Sequence, residues 1–187
     1  MSRRLQAWGS IAGILGGVAF AAGHVVGFAG GGAQAAAVTG GWLNLGGVVA
    51  LVFAVVGLHE ALDDRGGLLA GVGAIAAVVG FTLLAGFFTL RIALAYGLIP
   101  QEATGATPMV ALSATANAAL LAGLLFLGIE LLRTGALPGF VGMTFLLATA
   151  AFLIGFFGVP VAGTLGAVFL GAGCAGAAPR LWKLHVE

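Results

Sequence analysis

Charge is what this sequence has least of. Only 7% of its 187 residues are charged, while 61% are apolar. A soluble domain needs a polar surface, so this composition excludes an ordinary water-soluble globule. In hydrocarbon every backbone polar group must be satisfied within the structure, which leaves helices or a closed barrel. The long unbroken apolar runs, without the alternation of barrel strands, favour helices.

Reactive and metal-binding residues are also scarce. The single cysteine, Cys174, excludes an intramolecular disulfide and any CxxC motif. The single lysine, Lys183, lies outside the apolar runs, which argues against a membrane-embedded Schiff base. His24, His59 and His185 fall at different depths, so they do not make a haem-ligating pair. With a net charge of +1 and no basic block, we predict no cofactor, no metal and no nucleic-acid partner.

Six apolar runs are each long enough to cross a bilayer, which takes about 20 residues. They cover about 6–28, 41–61, 67–96, 108–132, 137–158 and 160–178. Because little chain remains for loops, we predict one all-α integral membrane domain over 1–187, a polytopic bundle of transmembrane helices. The "AQA" at Ala33–Ala35 resembles a signal-peptide cleavage site, but we expect the first run to be a true first helix.

The basic residues that lie outside these predicted spans are confined to one side of them. The connections at about 29–40, 97–107 and 159 contain neither lysine nor arginine. The remaining connections and the two ends of the chain carry Arg3, Arg4, Arg65, Arg133, Arg180 and Lys183. This positive-inside pattern predicts that both termini are cytoplasmic.

Small residues recur at every fourth position in the first and last runs. They are Gly9, Gly13 and Gly17 in the first run, and Gly163, Ala167 and Gly171 in the last. Stripes of this kind let two helix backbones approach closely. We predict helix packing at these positions, either between the first and last helices of one bundle or between two copies of the chain. Since the chain has 34 glycines, a chance pattern is the alternative.

Two stretches suggest a faint internal repeat. "RGGLLAGVGAI" at 65–75 is similar to "RTGALPGFVGM" at 133–143, and each would be the turn of a hairpin, helices 2–3 and helices 4–5. Both hairpins start on the same side, so the repeat would be parallel. In the second hairpin a helix ends, the chain turns at a glycine, and proline starts the next helix.

That second hairpin carries a resemblance. The residues involved are Leu131, Leu132, Arg133, Gly135, Leu137 and Pro138. They resemble the turn of small multi-pass membrane proteins from GC-rich bacteria. The resemblance implies a bundle of about six helices in a bacterial cytoplasmic membrane, and it implies no activity.

Polar residues near the predicted outer ends of the spans form a candidate ligand pocket. They are His24, Asn44, Thr89, Arg91, Ser113 and Asn117. A polar group in the bilayer needs a partner, so these side chains could converge. Arg91 either extends to the lipid headgroups or faces the bundle interior. An inward Arg91 would pair with Glu102, bond Asn117 or helix-end carbonyls, or await an anionic ligand.

Two hypotheses for function follow. The first is a non-enzymatic scaffold or accessory subunit that packs against other membrane helices, lipids or pigments. The alternative is a small-molecule carrier or a lipid- or quinone-binding protein with an outward-facing polar pocket. An enzyme is less expected, because no constellation of reactive groups stands out. The expected partners are membrane lipids and either other membrane subunits or a second copy of the chain.

Overall fold

The computed structural model describes residues 2–62, 66–100, 102, 105 and 107–186, with side chains from residue 5 to residue 182. The described residues form six α-helices and no strand. The helices are α1 (Ser2–Ala29), α2 (Gln34–Leu62), α3 (Leu68–Ala95), α4 (Thr107–Thr134), α5 (Gly139–Phe156) and α6 (Pro160–Val186). All six are long and apolar enough to cross a membrane. The prediction of an all-α chain with six such helices is confirmed.

The largest extensions of a helix beyond its predicted apolar run are in α2 and α6. α2 begins at Gln34, because the alanine-rich stretch after it forms helix readily although it is only weakly apolar. α6 continues through Pro179 to Val186. An apolar pattern stops where apolar side chains stop, whereas a helix stops where its backbone hydrogen bonds stop. The predicted ends of these two spans therefore differ from the observed helix ends.

The six helices form a closed ring in chain order. Each helix packs on the next one along the chain, and α6 packs on α1 to close the ring. The α1–α6 contact is antiparallel: Gly17 meets Gly171, and the Ser10 hydroxyl donates a 2.9 Å hydrogen bond to the carbonyl of Ala178. The middle of the ring is filled by buried apolar side chains, the largest of them Phe20, Phe81 and Phe145.

The bundle therefore has two unlike ends. The terminal end holds the start of α1, the end of α6 and the α2–α3 and α4–α5 connections. The distal end holds the α1–α2, α3–α4 and α5–α6 connections. The α1–α2 turn is short because Gly31 and Gly32 take φ values of 55° and 92°, which L residues with a side chain rarely adopt. This turn forms one rim of the site described next.

Candidate functional site

A cleft opens at the distal end between α1, α2 and α3. Its volume is about 580 Å³, within the range of small-molecule pockets. We call it the distal cleft. The residues that line it are Gly23, Gly27, Gly32, Ala33, Gln34, Ala37, Gly40, Gly41, Asn44, Phe88, Arg91, Leu94, Ala95, Tyr96 and Gly97.

The cleft exists because several positions in its walls are glycine, which has no side chain. A Cβ atom added to Gly40 would lie 2.8 Å from the carbonyl oxygen of Gly23, so the backbones of α1 and α2 nearly touch at this level. Towards the distal surface a Cβ added to Gly27 or Gly32 would meet nothing within 4 Å. The glycines thus allow close helix packing at the base of the cleft and leave its upper walls unfilled.

Asn44 is the buried polar residue of the cleft. Its side chain is only 7% exposed, and among the described residues its Oδ1 atom has no hydrogen-bond partner. The oxygen lies against α1, where a Cβ added to Gly23 would come within 2.6 Å of it. Leaving a buried acceptor without a donor costs about 1–3 kcal/mol. Buried polar groups without partners are rare. The oxygen has essentially no accessible surface, so it faces α1 rather than the open part of the cleft.

Arg91 supplies the charge of the cleft. Its side chain is exposed, lines the cleft and lies over the ring of Phe87, with Cζ 5.9 Å from the ring centroid. Within the described part of the chain, the ion pair that forms is the one between Glu130 and Arg133. The predicted pairing of Arg91 with Glu102 is therefore not seen. The amide of Asn117 bonds within its own helix instead. Arg91 therefore reaches the cleft with its charge uncompensated by the described residues.

His24 lies directly behind the cleft wall in an aromatic cluster. Its ring centroid is 4.4 Å from that of Phe20, 6.3 Å from that of Phe88 and 6.4 Å from that of Phe152. Its Nδ1 atom lies 3.0 Å from the carbonyl oxygen of Phe20. A carbonyl only accepts, so Nδ1 carries a proton and, in the neutral ring, Nε2 is left as an acceptor. The imidazole also lies within hydrogen-bonding reach of the Asn44 side chain and within electrostatic range of Arg91.

Three of the six predicted pocket residues lie elsewhere. Thr89 is exposed on α3, and its hydroxyl donates to the carbonyl of Ala85 at 2.8 Å. Ser113 and Asn117 are on α4, where the Asn117 amide donates to the Ser113 carbonyl at 2.8 Å. The cleft is built from α1, α2 and α3, so residues of α4 do not contribute to its lining. The structure brings together His24, Asn44 and Arg91 and leaves the other three within their own helices.

Sequence reasoning missed Gln34 and Tyr96. Both line the cleft, and the Gln34 amide nitrogen donates a 2.7 Å hydrogen bond to the carbonyl of Ala95, joining the rims formed by α2 and α3. Gln34 falls in a stretch that reads as a connection, and Tyr96 reads as an interfacial aromatic residue. A polar residue beside a predicted span is a weak signal for such a rim.

The predicted packing glycines contact more than one neighbour. A Cβ added to Gly9 would lie 2.7 Å from Cα of Gly57 in α2, and one added to Gly17 would lie 2.8 Å from Cα of Gly171 in α6. Gly13 lies between Ala54 of α2 and Cys174 of α6. In α6, Ala167 is fully buried, whereas Gly163 faces Gly155 of α5. The stripe on α6 is therefore shared between α1 and α5, because a straight row at every fourth residue winds around the helix.

The terminal end holds a second polar group, which we call the Glu130 cluster. Glu130 is fully buried at the end of α4. Its Oε1 accepts from the backbone N–H of Gly67 at 2.6 Å and from Arg133 Nη2, and its Oε2 accepts from Arg133 Nε at 3.0 Å. Gly67 is the N-cap of α3, so the carboxylate also meets the positive end of a helix dipole. This cluster fastens α3 to α4 and is internally satisfied.

The other basic residues of the positive-inside pattern are described only in part. Arg180 is exposed at the terminal end, as Arg133 partly is. Arg65 lies outside the described residues, and the side chains of Arg3, Arg4 and Lys183 lie outside them too.

Comparison of the chain with known protein families, with curated proteins and with solved structures finds no match. The candidate site therefore rests on the residues and their geometry alone.

Proposed function

We propose that this protein is a non-enzymatic integral membrane protein that binds a small amphiphilic molecule in the distal cleft, as a carrier or a lipid- or quinone-binding protein would. The observation that supports this most is a cleft of about 580 Å³ that is lined by an arginine, Arg91, whose charge no described carboxylate pairs with. Asn44 also lines the cleft, but its Oδ1 atom is buried against α1. A largely apolar cavity with a few polar groups aimed at one ligand is the usual form of a small-molecule site.

The orientation in the membrane belongs to the same proposal. The terminal end would face the cytoplasm of a bacterial cell, since the basic residues of the sequence cluster there. The distal cleft would then open at the outer leaflet of the cytoplasmic membrane. The two hairpins α2–α3 and α4–α5 would be a parallel repeat within a single domain.

A second candidate function is a scaffold or accessory subunit. One face of α3 favours it: Thr82, Gly86 and Thr89 are all exposed, and a Cβ added to Gly86 would meet nothing within 4 Å. The two hydroxyls donate to carbonyls of their own helix, so this face is smooth and internally satisfied. Small residues on an open helix face are typical of contacts between membrane helices.

One experiment separates these candidates: native mass spectrometry of the protein released gently from its own membrane. The binding proposal expects a defined small-molecule mass on the wild type and its loss in Ala37→Phe, which would fill the cleft from its exposed wall. Ala35→Phe is the matched control, because Ala35 is equally exposed on α2 but does not line the cleft.

Two results would contradict the binding proposal. A small molecule that stays bound in Ala37→Phe would place binding outside the cleft. A protein partner at fixed stoichiometry, with no small molecule, would support the accessory-subunit candidate instead.

A further inference from the structure

We infer that His24 and Asn44 form a proton-binding site at the contact between α1 and α2, behind the wall of the distal cleft. The added proton would be carried by Nε2 of His24 and would bridge that nitrogen to Oδ1 of Asn44. The inference does not depend on a ligand in the cleft, so it goes beyond the proposed function. It follows from the hydrogen-bond partners of the two side chains, from their burial and from the charges around them.

In its neutral form the His24 ring carries one proton, and the geometry places that proton on Nδ1. This nitrogen lies 3.0 Å from the carbonyl oxygen of Phe20, which can only accept a hydrogen bond. Nε2 then carries a lone pair and no proton. The ring can take a second proton on Nε2 without giving up its bond to Phe20, because both nitrogens of an imidazolium are donors.

Asn44 holds the acceptor that this second proton needs. Its side chain lies within hydrogen-bonding reach of the imidazole, and among the described residues its Oδ1 atom has no donor. The oxygen is enclosed against α1, where a Cβ added to Gly23 would come within 2.6 Å of it. A molecule in the cleft therefore cannot supply the donor. Nε2 of the neighbouring His24 ring can supply it, once that nitrogen is protonated.

The other groups around His24 decide how readily the ring is charged. Three phenylalanine rings pack against the imidazole and do not titrate: Phe20, Phe88 and Phe152. Arg91 of α3 is the charged side chain among the described residues that acts on the ring, and its like charge opposes protonation, as partial burial does. The two acceptors, at Phe20 and Asn44, offset these effects, because hydrogen bonds from a charged donor are the stronger ones.

Proton uptake would make the charge of the cleft depend on pH. With His24 neutral, Arg91 is the positive charge of the cleft among the described residues that line it. With His24 protonated, a second positive charge lies directly behind the wall. The same proton would also join α1 to α2 at the base of the cleft. Acidification would therefore increase the attraction of the cleft for negative groups and hold its wall more firmly.

The test follows the His24 ring directly by nuclear magnetic resonance. The full chain, labelled with ¹⁵N in histidine only, is placed in a nonionic detergent and titrated from about pH 8 down to the pH at which the bundle unfolds. The chain has three histidines, and the signal that disappears in His24→Gln belongs to His24. We expect that signal to show a proton on Nδ1 throughout and a second proton on Nε2 as the pH falls.

Asn44→Leu should weaken proton binding by His24 about tenfold, because a hydrogen bond to a charged group is lost. Asn117→Leu is the matched control, since it removes an amide that bonds within α4, and it should leave proton binding unchanged. Asn44→Asp keeps the shape of the side chain and should strengthen proton binding, because its carboxylate attracts the imidazolium. Arg91→Gln should strengthen it too, because a like charge is removed.

Either of two results would overturn the inference. One is an Nε2 atom that stays unprotonated down to the pH of unfolding. The other is equal proton affinity of His24 in Asn44→Leu and Asn117→Leu. Both are distinct from failure of the proposed function: a small molecule that is lost in Ala37→Phe would keep the cleft as a binding site whatever His24 does, and the proton site would stand in a protein that binds none.

Discussion

The distal cleft and the Glu130 cluster contain similar groups but use them for different purposes. Each holds one arginine and one buried polar side chain. At the Glu130 cluster the carboxylate receives three hydrogen bonds, two from Arg133 and one from Gly67. At the distal cleft Asn44 Oδ1 receives none from the described residues, and Arg91 lies over an aromatic ring. The first arrangement holds helices together, and the second leaves binding capacity unused by the fold.

The largest effect on stability should come from a mutation in the Glu130 cluster, where the carboxylate is fully hydrogen-bonded. Glu130→Ala leaves the Gly67 N–H without its acceptor and the Arg133 guanidinium without its carboxylate. We expect the free energy of unfolding to fall by at least about 2 kcal/mol, because hydrogen bonds to a buried charged group are lost. Thermal unfolding in detergent measures it.

Arg91→Ala is the comparison for that measurement. It removes an arginine that contacts only a ring among the described residues, so the loss should stay below about 1 kcal/mol. Equal losses in the two variants would mean that Arg91 has a structural partner, and the contrast between the two ends would be wrong.

Asn44→Leu should have the opposite sign. It replaces a buried amide that has an unsatisfied oxygen with an apolar side chain of similar shape, so the ligand-free protein should gain about 1 kcal/mol.

Asn117→Leu is the matched control, because that amide is already bonded to Ser113 and its removal should bring no gain. A loss of stability in Asn44→Leu would show that the Asn44 oxygen has a donor in the folded protein, such as a buried water.

The smallest effect should come from loosening the rim of the cleft. Gln34→Leu removes the 2.7 Å hydrogen bond to Ala95 that links α2 to α3. An exposed hydrogen bond of this kind is worth about 0.5 kcal/mol, so opening of the rim should become about twofold more frequent. The thiol-labelling rate of an Asn44→Cys probe reports it, because residue 44 lines the cleft but is buried, and the native Cys174 is buried as well.

Gln6→Leu removes a similar side-chain bond to a carbonyl, but at the terminal end. It should leave the labelling rate at residue 44 unchanged. Equal acceleration by both variants would indicate general loosening of the bundle rather than a rim held by Gln34.

The number and kind of helices could be predicted because an apolar run of sufficient length has few other stable states in a bilayer. The order in which the helices pack around the ring could not be predicted from the sequence. Gly17 can approach any smooth helix, and only the structure pairs it with Gly171. The same limit explains Gly163, which shares a row with Gly171 in the sequence but faces α5.

The candidate site shows how much can be predicted from the depth of a residue in the membrane. His24, Asn44 and Arg91 were grouped because their positions along the spans place them at one level, and they do lie around one cleft. Ser113 and Asn117 share that level but lie on α4. Distance along a helix axis follows from the position in the chain, whereas direction around the axis depends on which neighbour the helix packs against.

Closure of the ring by α1 and α6 has a consequence for biosynthesis. α1 is made before α6. The face of α1 that carries Gly13 and Gly17 therefore cannot pack on α6 until the four helices between them have been made. Until then this groove is open to lipid or to any passing helix with a smooth face. During synthesis α1 can therefore pack on α2 early, but it gains its second neighbour, α6, only after the four helices between them have been made.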